Sequence, residues 1–222
     1  MSPDKGVQQQ DAPLKIVSVR PFDCKELLAR LKQTPLRGHG GVRLYAGAEL
    51  ELEPSFDPSK LAPAQRYVLM GSVRKLLELR SVLLEWDVDL LALDGGAYVR
   101  TADSPDEDIP VTPPFVEESH ERDGRRVLLI NDGLHRVYAA RLLGLPISVV
   151  IARGVPVEYP YYAYALPGGW SEVAELEELP DEFQKKEYRV PENYKALFRE
   201  FNAVFPGVQQ QRKRSNPAHL QA

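Results

Sequence analysis

The chain has 222 residues, with 28 Lys and Arg against 32 Asp and Glu, one cysteine and a formal net charge of −4. That length supports one full domain with appendages and a sizeable buried core. The single Cys24 excludes an internal disulfide and a multi-cysteine metal cluster, and the acid excess gives no global reason to expect nucleic acid. The longest apolar runs are strand-sized, so no membrane span is expected, and a cytoplasmic protein without a secretory leader is the working expectation.

In chain order, Met1–Asp11 is polar and Gln-rich and reads as a disordered lead. Lys15–Val19 suits a strand halted by Pro21, and Asp23 a cap for a helix over Lys25–Lys32 with Leu27, Leu28 and Leu31 on one face. Arg37–Gly41 reads as a loop. Leu61–Leu79 has helical periodicity, with Pro63 in the first turn. Val82–Trp86 and Val88–Leu93 look strand-like, followed by an Asp-Gly-Gly turn and a returning strand at Ala97–Arg100. Thr101–Pro114 is acidic, Pro-rich and loop-like, with a short strand over Ile109–Thr112. Next come a buried-type strand at Val127–Ile130, a helix over Gly133–Leu143 punctuated by Gly144 and Pro146, and a second buried strand at Ile147–Ile151. The Tyr159–Tyr164 cluster is expected to pack rather than to bind, and Asn193–Phe205 to form a helix.

The informative segment is Asn131-Asp132-Gly133-Leu134-His135-Arg136, where a strand ends and a helix starts at once. Asp132 suits an N-cap, and Gly133 allows close approach to the backbone. The unpaired N–H groups of the first turn, around Gly133 and Leu134, together with the helix dipole, favour an anion. Arg136 can grip a phosphate with its planar fork, and His135 can add a hydrogen bond. An ordinary solvated helix face, with Arg136 paired to a nearby acid, is the plainer alternative.

Asp132-Gly133-Leu134-His135-Arg136, followed by Ala139-Ala140 and Leu143-Gly144, resembles the motif of the ParB/sulfiredoxin fold. That group includes chromosome-partitioning CTP-binding proteins, sulfiredoxins and ADP-dependent kinases of free serine. The resemblance implies an α/β fold, a mixed α+β arrangement with a ParB/sulfiredoxin-like core over residues 12–165. A helical extension over 166–206 and a basic flexible tail over 207–222 complete the chain. Leu134 stands where sulfiredoxins place their cysteine, and partition proteins carry a glutamate after the glycine that is missing here. The motif is closest to the serine-kinase branch. The resemblance further implies a bound nucleotide, ATP or ADP with CTP as an alternative, held by Asp132, Gly133, Leu134, His135 and Arg136.

Phosphoryl transfer also needs a base and a charge-neutralising metal ion. Glu117 and Glu118, expected in a loop before the motif strand, are the candidate bases. Their plainer reading is a charged surface, since Ala102–Asp123 holds eight acids and one base. Asp132 competes for the same role and is the candidate Mg²⁺ ligand. The resulting expectation is a phosphotransferase or nucleotide hydrolase acting on a small hydroxylated acceptor, without nucleic acid or membrane as partner. A regulatory nucleotide- or partner-binding module is the alternative, and a nuclease ranks third.

Overall fold

The computed structural model describes residues 14–205. The lead over 1–11 and the basic tail over 207–222 lie outside the described residues. The elements are β1 (Ile16–Asp23), α1 (Cys24–Leu31), β2 (Pro35–Leu36), β3 (His39–Arg43), β4 (Glu49–Phe56), β5 (Leu61–Ala62), β6 (Tyr67–Leu69), α2 (Met70–Leu84), β7 (Gly95–Thr101), β8 (Ser104–Val111), β9 (Phe115–His120), β10 (Arg126–Asp132), α3 (Leu134–Leu143), β11 (Ile147–Arg153) and β12 (Ala174–Leu176). Three helices and mixed sheets make this an α/β fold.

The central sheet runs β4-β11-β9-β10-β5. Because β9 is parallel to β11 and antiparallel to β10, it separates the two strands that α3 connects. Those strands therefore run in opposite directions. Both faces of β11 are covered. Ile147, Val149 and Ile151 pack with Val116, Ile130, Val137 and Ala140, while Val150 and Ala152 pack with Leu27, Tyr45, Phe115 and Leu197. A continuous apolar run is what a strand buried on both faces requires. Helix α3 thus lies on one side of the sheet, and α1 with the C-terminal segment on the other.

Several local expectations differ from the structure. β1 continues through Pro21 because Pro21 pairs with Ala97 near the end of its ladder. Asp23 does cap α1, accepting from the Glu26 backbone N–H at 2.7 Å. The loop expected over Arg37–Gly41 includes the start of β3, which pairs with β2. The helix expected over Leu61–Leu79 starts only at Met70, with β5 and β6 replacing its first half. Pro63 and the parallel pairing of Leu61 with Leu128 override the helical spacing there. Val82–Leu84 belongs to the end of α2 rather than to a strand, with Leu83 buried and Leu84 exposed. The acidic stretch at Ser104–Val111 is β8, an edge strand on which Asp106 and Glu107 stay exposed while Asp108 is half-buried against Arg20 and Arg100. Finally, the helix expected over Asn193–Phe205 is two 3₁₀ turns, Tyr194–Leu197 and Phe201–Ala203.

Candidate functional site

The site forms where β10 turns into α3. Strand β10 carries an irregularity there: Ile130 pairs with Val116 and Asp132 with Phe115, so Asn131 is an extra residue in the ladder. Such a bulge re-aims the side chains around it. Both amide atoms of Asn131 are buried without a hydrogen-bond partner. Gly133 follows with φ +85°, the left-handed conformation, and a Cβ there would lie 2.9 Å from that of Pro114. The position needs glycine for both its backbone and its space.

Asp132 does not cap α3. The cap residue is Gly133, no side chain bonds the first turn, and the Asp132 carboxylate instead accepts from Arg136 at 2.8 Å. Arg136 is mostly shielded, and burial pulls its pKa below the ordinary arginine value against the opposing pull of Asp132. It remains a cation, since arginine titrates far above neutrality. Leu134 packs its side chain on the core, so what it offers a ligand is its backbone N–H.

His135 is placed differently from the expected phosphate donor. Its Nε2 accepts from the Leu69 backbone N–H at 3.0 Å, just ahead of α2. An accepting Nε2 leaves the ring hydrogen on Nδ1. Burial lowers the His135 pKa, with Asp132 pulling the other way. A histidine held neutral in the fold contributes fully above its unfolded pKa of about 6.5, and that contribution falls as acid charges the unfolded chain. The melting temperature should therefore drop as pH falls below about 6.5. His135→Gln should flatten that part of the profile in a pH series of thermal melts, and an unchanged slope would remove His135 as its source.

Glu117 and Glu118 lie on β9, not in a loop. Phe115 is the residue opposite Asp132, so the two glutamates sit about 7 and 10 Å further along the strand. Glu117 is buried, and both its oxygens accept from Arg199, each at 2.9 Å, with the Tyr45 hydroxyl donating at 2.5 Å. Arg199 spends its remaining donors on the carbonyls of Tyr159, Pro160 and Leu197. In this arrangement Glu117 is the counter-ion of Arg199. Glu118 is partly exposed, with Arg126 at 3.8 Å.

Asp132 borders three cavities, of which the two larger are open. One, of about 310 Å³, has apolar walls from Leu76, Leu79, Leu90, Ile109 and Phe205, with Asp132 and Arg136 among its polar lining. The other, of about 190 Å³, is polar and includes Arg37, Asn131, Asp132, Tyr161, Tyr162 and Arg199. Phe201 and Asn202 line both. The tyrosine cluster is therefore divided in role: Tyr161 is buried in the core while also lining the polar cavity. Among the described residues, no three or more His, Cys, Asp or Glu side chains gather as a metal site.

Sequence reasoning missed Tyr45 and Arg199 as partners of Glu117, and also the role of Lys186, which donates to the hydroxyls of Tyr161 and Tyr162. These contacts join positions 24 to 82 residues apart, and no local motif encodes them.

The family described as the ParB CE domain matches residues 26–174. The chain belongs to this family. The match covers about two thirds of the chain and includes β9, β10, α3 and β11. No curated protein matches, and no solved structure matches. Arg199, Glu200, Phe201 and Asn202 follow the matched region, so the polar cavity of this ParB CE domain is walled partly by sequence outside the family match. Arg189 is tied to Glu121 at 2.6 Å and Arg199 to Glu117, and these two buried ion pairs fasten that later segment to β9 and the turn after it. No described helix is long and apolar enough to cross a membrane.

Proposed function

We propose that this ParB CE domain binds a nucleotide, ATP or ADP with CTP as an alternative, at the start of α3 and transfers or hydrolyses its terminal phosphate. The observation that carries this reading is a helix start on a left-handed glycine, uncapped by any side chain, with Arg136 and an open cavity beside it. First-turn N–H groups and a guanidinium fork suit phosphate oxygens. The apolar walls from Leu76, Leu79, Leu90 and Ile109 suit a base or another flat apolar group. The closer assignment to the free-serine kinase branch belongs to the same proposal and rests on the Asp-Gly-x-His-Arg turn at Asp132–Arg136.

Of the three carboxylates considered as base, Asp132 is the one that borders both cavities. It is well sited to take the proton of an acceptor hydroxyl. Asp132 would also be the residue to hold Mg²⁺, which commonly binds through one or two carboxylates plus phosphate oxygens and water. When bound, that ion supplies charge neutralisation at the phosphates. Arg136 would then exchange part of its contact with Asp132 for the phosphate.

A second reading, a nucleotide-binding regulatory module without turnover, is favoured by one observation. Glu117 has no oxygen free of Arg199 to act as base.

A thermal-shift screen with ATP, ADP and CTP in the presence of Mg²⁺ tests the site. At least one nucleotide should raise the melting temperature, and Arg136→Ala should abolish that rise. No shift with any of them at millimolar concentration defeats the phosphate-site reading. Turnover that Asp132→Asn stops while binding persists supports the enzyme, and binding without turnover supports the module.

A further inference from the structure

Lys186 is the cation around the polar cavity that has no acid to face. Arg37 pairs with Glu200, Arg136 with Asp132 and Arg199 with Glu117. Among the described residues the Lys186 ammonium donates to the hydroxyls of Tyr161 at 3.0 Å and Tyr162 at 2.6 Å, and to no carboxylate. A partly buried ammonium held by two neutral phenols is under-compensated, because burying charge is costly without an opposite charge nearby.

The two phenols carry that charge to the cavity wall, which both of them line. Each oxygen accepts from Lys186, so each hydroxyl hydrogen is left to donate elsewhere. Tyr161 gives its hydrogen to the Asn131 carbonyl at 3.3 Å, a long bond, and Tyr162 remains able to donate to an incoming group. Asn131 lines the same cavity, and its buried amide leaves both its donor and its acceptor unsatisfied. Buried polar groups without partners are rare in folded proteins, and at a bulge beside a cavity a bound group is the economical partner.

We propose that this cavity binds the carboxylate of a small organic acid. The Tyr162 hydroxyl and the Asn131 amide donate to the carboxylate, and Lys186 stands behind the phenol as counter-charge. A monoanion fits better than a phosphate dianion, because the carboxylates of Asp132 and Glu200 share the same walls. The cavity, about 190 Å³, lies below the roughly 300–1,000 Å³ of pockets for drug-sized ligands, which limits the acid to a few carbons. Its identity as the acceptor rests on the phosphotransferase reading above. Its binding does not.

Glycerate, with glycerol and inorganic phosphate as controls, probes the site by calorimetry and thermal shift on the full chain without nucleotide. Glycerate should bind and stabilise the protein, and glycerol should not. Lys186→Met should weaken glycerate about tenfold or more, the scale of a hydrogen bond to a charged group. Tyr162→Phe removes one hydroxyl without altering shape and should weaken it in the same direction, which keeps the test decisive if the lysine variant folds poorly. Glycerate is titrated without nucleotide and nucleotide without glycerate, so the two readings fail separately. Absence of glycerate binding, equal binding of phosphate, or unchanged glycerate affinity in Tyr162→Phe would overturn the proposal.

Discussion

Replacing Arg199 with methionine should lower the unfolding free energy by about 3–5 kcal/mol, the usual consequence of removing one partner from a buried ion pair. Both partners are almost wholly shielded, and the Glu117 carboxyl would be left with only the Tyr45 hydroxyl to answer it. The carbonyls of Tyr159, Pro160 and Leu197 would lose their donor in the same step. Burial by itself disfavours the Arg199 charge, but Glu117 and Tyr45 more than offset this, so its pKa lies above the ordinary arginine value. The double variant Glu117→Leu with Arg199→Met removes both charges and should recover part of the loss, since apolar replacement of a buried pair is often near neutral. Recovery should be incomplete, because Tyr45 and the three carbonyls stay unpartnered. Chemical denaturation of the two single variants and the double variant measures this. A loss under about 1 kcal/mol in Arg199→Met, the scale of an exposed pair, would show that the contact is dispensable.

The second large effect is expected at Gly133. An alanine there must hold φ near +85° and place its Cβ 2.9 Å from the Pro114 Cβ and 3.0 Å from Arg136 Nη2. Left-handed backbone at a non-glycine residue costs about 1–3 kcal/mol. The Arg136 arm can swing aside, but the proline ring cannot. Gly144 is the internal control. It too is left-handed, at φ +65°, and closes the other end of α3, with nothing within 4 Å of the place an alanine Cβ would take. Gly144→Ala therefore meets the backbone cost alone. Urea denaturation should show the greater loss for Gly133→Ala, and its nucleotide-dependent thermal shift should vanish while that of Gly144→Ala remains. Equal losses would mean that close packing at Pro114 does not matter.

These expectations show which parts of the fold were legible from sequence. The turn from β10 into α3 was legible because a short apolar strand, a glycine and a helical stripe lie within twenty residues of one another. The Asp23 cap of α1 was legible for the same reason: its acceptor and donor are three residues apart. Leu61–Leu79 misled because the apolar spacing of a helix also fits two short strands joined by a turn at Pro63. Only the pairing of Leu61 with Leu128 and of Tyr67 with Ala174 separates the two cases. At the site, Asp132 looked like a cap because its type and place are right for one. The guanidinium four residues on competes for the same carboxylate and wins. Glu117 looked like surface charge or a free base, since nothing in an acidic stretch marks one glutamate for burial. Its partner stands 82 residues later.

That separation also sets an order of events during synthesis. At roughly 5–20 residues per second, a ribosome needs about 4–16 s to deliver Arg199 after Glu117. Throughout that interval β9 can pair with its neighbours only with an acid still unanswered in its middle. Drying that side of the sheet is unfavourable in the meantime, and Tyr45 is the one partner already made. The segment outside the family match thus supplies the cation that favours drying this side of the matched domain.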